Sequence, residues 1–110
     1  MITTHVLDTA RGVPAEGLDV VLDVRHSNEW RTIGRAMTNE QGRVTRFPGV
    51  AFSAGTYRLT FQTGAYHRQQ GIAAPFFPEV KIVFTVGEAG AVYHVPLLLS
   101  PFGYSTYRGT

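Results

Sequence analysis

The chain has 110 residues, no cysteine, and a formal net charge of +2 from ten cationic and eight acidic side chains. One domain of this size buries roughly two-thirds of its surface without disulfide or metal staples, and the lack of cysteine removes disulfides, thiolate zinc sites and thiol nucleophiles. With 44 % hydrophobic and 16 % charged residues, disorder is excluded, and residues 1–110 are expected to form a single domain.

Apolar and polar residues alternate from the start. Ile2, Thr4 and Val6 alternate with Thr3, His5 and Leu7. After a turn at Arg11-Gly12-Val13-Pro14, Leu18, Val20, Leu22 and Val24 alternate with Asp19, Val21, Asp23 and Arg25. Weaker strand signals follow over 30–36 and 43–47, separated by Asn39-Glu40-Gln41-Gly42. Ser53-Ala54-Gly55 precedes a run in which Tyr57, Leu59 and Phe61 alternate with polar neighbours. A helix is expected over 64–71, ended by Gly71, with Pro75 and Pro78 forbidding its continuation. Val80, Ile82, Phe84 and Val86 then alternate with Lys81, Val83 and Thr85. Gly87-Glu88-Ala89-Gly90 leads to a strand from Val92 to Leu98, and a last weak strand covers 103–108. The period of two marks half-buried strands, and each turn supplies a glycine for positive φ. Short strands at this spacing predict an all-β sandwich with one short helix.

The strands beginning at Ile2 and Val92 carry apolar groups on both faces. If Val6 and Val95 face the core, Leu7, Pro96 and Leu98 face outward. Such a face points to burial in an oligomer, although single surface leucines are also ordinary.

Charge and motifs narrow the function. Apart from Lys81 every cation is an arginine, scattered from Arg11 to Arg108. No basic cluster suggests nucleic acid. A guanidinium suits carboxylate or urea-like groups, which it grips with two parallel hydrogen bonds. No segment approaches the roughly 20 apolar residues of a membrane span, and Met1-Ile2-Thr3-Thr4-His5 lacks the pattern of a signal peptide; a cytoplasmic location is expected. Nucleophile-elbow, Walker and zinc-helix motifs are absent. Asp19 and Asp23 read as solvated carboxylates on a polar strand face.

Of four histidines, His26 and His67 lie in polar sequence and read as surface groups. His5 and His94 sit within strands, opposite the apolar set. A lone strand histidine is ordinarily structural, but two converging on one face would form a general acid–base pair near neutral pH. No His-x-His pair or adjacent carboxylate supports a metal site, and no metal or other cofactor is expected.

The segment Thr4-His5-Val6-Leu7-Asp8-Thr9-Ala10-Arg11-Gly12-Val13-Pro14-Ala15 resembles the first strand and turn of the transthyretin family. Phe77-Pro78-Glu79-Val80 and the run from Leu98 to Tyr107 are similar too, so the resemblance covers essentially the whole chain. Its 5-hydroxyisourate hydrolase branch is marked by a first-strand His, an Arg after a Gly turn, a seventh-strand His and a terminal Tyr-Arg-Gly-Ser. Here these are His5, Arg43 after Gly42, His94, and Tyr107-Arg108-Gly109-Thr110, with Thr110 in place of Ser. The resemblance implies two four-stranded sheets and a homotetramer whose channel between dimers is lined by Thr3, His5, Leu7, Arg43, His94, Pro96, Leu98 and Tyr107. It also implies hydrolysis of a small molecule, 5-hydroxyisourate, with His5, His94 and Arg43 as catalytic groups. Tyr107, Arg108, Gly109 and Thr110 would contact substrate. A ligand carrier of transthyretin type and a structural β-sandwich module are the alternatives. Two local departures are expected: a bulge or register shift at Pro96, which cannot donate to a ladder, and opposite orientations for Tyr107 and Arg108 if the strand stays regular.

Overall fold

The computed structural model describes residues 1–110 and lays the strands into two sheets. One sheet holds β1 (Ile2–Asp8), β2 (Val13–Pro14), β5 (Arg43–Val44), β8 (Tyr93–Ser100) and β9 (Gly103–Thr106). The other holds β3 (Asp19–His26), β4 (Glu29–Met37), β6 (Gly55–Phe61) and β7 (Val80–Val86) in the order β4-β3-β6-β7. The helix α1 (Thr63–Gln69) follows β6. β1 and β8 run parallel, whereas the other paired strands are antiparallel.

The alternation read from the sequence sets the core. Ile2, Val6, Leu97 and Leu99 of the first sheet join Val20, Leu22, Leu59 and Phe61 of the second in one cluster, each at most 1 % exposed. Full burial of such a side chain contributes about 1.5–3 kcal/mol. The opposite positions of β1, Thr3, His5 and Leu7, are half-buried and form the outer face.

The first sheet has five strands where four were expected. The carboxyl of Asp8 accepts from Ala10 and Arg11 N–H at 3.1 Å each, and Gly12 N–H donates to Asp8 O at 2.8 Å. This turn brings Val13 and Pro14 back onto Asp8 and Leu7 as a two-residue strand. β2 and β5 share one edge of β1, against Leu7–Asp8 and Thr4–His5 respectively, and together fill one strand's place.

Other boundaries move for local reasons. β5 ends at Val44 rather than near residue 47, and Phe47 enters the core instead. The β3–β4 hairpin turns on Ser27 and Asn28, both at positive φ, a two-residue primed turn the sequence reading missed. Gly12 and Gly42 have the expected positive φ, whereas Gly55, Gly87 and Gly90 do not. Asp23 is not solvated. It is buried, accepts Thr32 Oγ1 at 2.7 Å, and pairs with Arg58 at 2.8 Å. His67 is not a surface group either. It is 2 % exposed on α1, and its Nε2 has no hydrogen-bond partner.

Candidate functional site

The site begins with a turn. Asn39 Oδ1 accepts from Gln41 N–H at 2.9 Å and Arg43 N–H at 3.0 Å, and Asn39 N–H donates to Arg43 O at 3.0 Å. Gly42, at φ +76°, passes so close to β1 that a Cβ there would strike the Val6 carbonyl oxygen. Its own carbonyl accepts Val6 N–H at 2.7 Å. Only glycine satisfies both the dihedral and the approach. The turn therefore delivers Arg43 directly opposite His5 in the β1–β5 pairing.

Register then arranges the outer face in rows. Arg43, His5 and Pro96 lie abreast on β5, β1 and β8. In the next row Thr3 lies abreast of His94, and His94 bridges to Gly109. His5 and His94 are thus diagonal neighbours, roughly 8 Å apart at Cα by the ~4.8 Å strand spacing and ~3.3 Å rise. The row beyond His5 is Leu7, Leu98 and Ser105. Of the eight residues expected on the channel face, the seven that lie in strands, all but Tyr107, take that side of the sheet.

Both imidazoles titrate below the ordinary value of 6.5. For His5 the first cause is burial and the second the Arg43 guanidinium, partly offset by a hydrogen bond with the Gln41 main chain. For His94 the causes are burial, Arg43, and then His5. Two neutral bases beside a fixed cation can take protons from water and meet developing negative charge. His94 Nδ1 also lies 2.8 Å from Thr3 Oγ1, a contact with no role in the sequence reading. Its signal was the period of two, which puts Thr3 on the face of His5.

Pro96 breaks the ladder without a bulge or shift. β8 holds one register on β1 from Tyr93 to Leu99. Against the C-terminal segment, Leu97 pairs with Thr106 and His94 with Gly109, three residues on along both strands. Tyr107 therefore faces Pro96, which has no N–H to give it. The Pro96 carbonyl accepts Thr106 Oγ1 at 2.7 Å instead, and β9 ends there. Gly109 N–H regains the ladder, donating to His94 O at 2.8 Å.

The tail divides as strand geometry requires. Tyr107 is exposed, just past the end of β9. Gly109 lies so near His94 that a Cβ would stand 2.5 Å from its Cδ2. Arg108 points the other way, with Cζ 4.9 Å from the centre of the Tyr93 ring. There it closes a cleft of about 260 Å³ with Ile82, Phe84 and Tyr93. His5, Arg43, His94 and Gly109 are thus brought together, Arg108 lies over Tyr93 in a cleft that His94 and Tyr107 also line, and Thr110 is exposed at the end of the tail. No cluster of three or more His, Cys, Asp or Glu could hold a metal ion, and no helix is long and apolar enough to cross a membrane.

Known proteins similar to this chain are numerous. The chain is 46 % identical over 114 residues to 5-hydroxyisourate hydrolase 2 of Rhizobium meliloti, covering 99 % of this chain and 95 % of the relative. The Klebsiella pneumoniae 5-hydroxyisourate hydrolase structure superposes with a TM-score of 0.86 at 38 % identity, over 99 % of this chain and 98 % of that one. Sea bream transthyretin in complex with thyroxine superposes with a TM-score of 0.91 at 31 % identity, covering 98 % and 93 %. The model of the HIUase/Transthyretin family matches residues 2–109. The chain belongs to the HIUase/Transthyretin family.

Proposed function

We propose that this protein hydrolyses 5-hydroxyisourate to 2-oxo-4-hydroxy-4-carboxy-5-ureidoimidazoline, a step of urate degradation, on the outer face of the first sheet. The observation that carries the reading is two neutral imidazoles and one guanidinium in adjacent rows of that face. Full-length relatives named for this activity supply the substrate.

The product's carboxy and ureido groups define the reaction. Water adds to a ring carbonyl carbon, the carbon–nitrogen bond breaks, and the nitrogen leaves with a proton. This needs a base for water, a stabilised oxyanion and a proton for the leaving nitrogen. His5 and His94 supply the proton-handling groups, worth roughly 10²–10⁴-fold. Arg43 holds the substrate by two parallel hydrogen bonds and offsets the developing charge. Tyr107, Gly109 and Thr110 contact the substrate from the tail side, and Arg108 joins them when it leaves the Tyr93 ring. The half-buried Leu7 and Leu98 beside these groups suit a covered face, so the working form is a homotetramer with its sites between dimers, in the cytoplasm.

The test is the ultraviolet decay of 5-hydroxyisourate generated in place from urate and urate oxidase. Acceleration above the spontaneous background, lost in His5→Ala, is the expected result. Saturable binding of an iodinated aromatic without acceleration would favour a carrier, the reading to which the thyroxine-bound neighbour points.

A further inference from the structure

We propose that Thr3 is a positioning residue that holds His94 with Nδ1 bare and Nε2 protonated, so that His94 serves the site as a neutral hydrogen-bond donor and His5 is its only base. The division of labour rests on the hydrolase reading above; the tautomer does not.

Thr3 and His94 are register partners on β1 and β8, and their side chains meet at 2.8 Å. A neutral imidazole has one ring donor and one ring acceptor, while a hydroxyl can play either part. The Thr3 hydroxyl makes no other hydrogen bond in the structure. If Nδ1–H donated to it, the hydroxyl hydrogen would be left without a protein acceptor in a half-buried position. When the hydroxyl donates to Nδ1, one bond satisfies both groups. Nε2 then carries the ring hydrogen.

The base is then the other imidazole. With the His94 lone pair taken by Thr3, His5 is the remaining ring with a lone pair to offer, and it stands directly opposite Arg43 in the β1–β5 pairing.

The proton balance follows. His5 takes a proton from the attacking water as the oxygen–carbon bond forms. The oxyanion accepts a hydrogen bond from His94 Nε2–H beside Arg43, and the His94 proton does not leave. When the carbon–nitrogen bond breaks, His5 returns its proton to the departing nitrogen. A neutral imidazole is a poor acid but a good oriented donor, and oriented donors aimed at developing charge supply much of the acceleration in acyl transfer.

The tautomer is read by nitrogen-15 NMR at about pH 8, where imidazoles that titrate below 6.5 are neutral. His94→Gln identifies the resonances. Expected is a bare, downfield Nδ1 and a protonated, upfield Nε2 for His94. Thr3→Val should mix the two tautomers and lower kcat roughly 3- to 10-fold, the worth of one hydrogen bond, with KM nearly unchanged. Thr3→Ser should restore both the spectrum and kcat. A protonated Nδ1 in the wild type overturns the proposal, and so does an unchanged His94 spectrum in folded Thr3→Val. If Thr3→Val does not fold, the wild-type and Thr3→Ser spectra decide. A wild type inactive on 5-hydroxyisourate but with the expected spectrum would overturn the roles and uphold the tautomer.

Discussion

His5 and Arg43 are direct partners across the β1–β5 pairing, and the guanidinium that faces the imidazole also lowers the titration of His94 one row away. One cation acts on both imidazoles, so its substitution should be felt twice. Arg43→Lys keeps the charge and loses the planar fork, and turnover should fall about 10- to 100-fold. Arg43→Met loses both and should fall further, by about 10²–10³-fold. Steady-state kinetics on the two variants separates the contributions. Full activity in Arg43→Lys would exclude a bidentate contact.

The pH profile carries a second expectation. His5 and His94 lie below 6.5 chiefly through burial and then through Arg43. The acid limb of kcat/KM should therefore fall below 6.5. In Arg43→Met it should move upward only in part, because burial remains. The sign for stability is fixed by the same shifts. The unfolded chain takes these protons more readily, so the stability they carry is present above 6.5 and is lost as pH falls through the lowered native values. A limb above 6.5 in the wild type would contradict the assignment of a neutral base.

How much of this was legible from the chain varied with range. Period two placed Thr3, His5 and Leu7 on one face and Ile2, Thr4 and Val6 on the other, because a strand permits nothing else. Which strands lie side by side was not legible. The parallel β1–β8 pairing joins residues some ninety apart; the family resemblance put residues of both strands on one face but named neither their adjacency nor their direction. Asp23 and His67 were misread for a related reason. Polar neighbours in sequence say nothing about Arg58, 35 residues away, which neutralises Asp23, or about the packing over α1 that buries His67. The place of Arg108 in a motif said nothing of the Tyr93 ring, over which its guanidinium lies in the structure.

The tail offers a third expectation. Gly109 contributes one backbone bond to β8 and lies against the His94 ring with no room for a Cβ. Removing residues 108–110 loses that bond and uncovers Pro96 and His94, at about 1 kcal/mol in stability. The catalytic loss should be larger, about 10²-fold, because an uncovered imidazole is no longer held in place. Gly109→Ala isolates the effect: the methyl must displace the ring or the tail, and activity should drop while the thermal melt barely moves. An active Gly109→Ala enzyme would remove the tail from the site.

The last expectation concerns the tie between α1 and β1. Tyr66 donates to Asp8 Oδ2 at 2.8 Å, while Asp8 Oδ1 accepts the two N–H groups of the turn into β2. Asp8 thus fixes both the end of the strand that carries His5 and the helix packed beneath it. Burial, then the bond to Asp8, push the Tyr66 phenol up to about 12. A phenol raised on folding stabilises the native state below its ordinary value of 10.0, and that stability fades as pH climbs towards about 12. Tyr66→Phe removes the donor and leaves a buried carboxyl oxygen short of a partner, at about 1.5–3 kcal/mol. Chemical denaturation should show that loss at neutral pH. Between pH 10.0 and about 12 the gap between the two proteins should narrow, because the wild type loses the same bond by ionisation. A gap that stays constant through that range would mean the phenol contributes by packing and not by its hydrogen bond to Asp8.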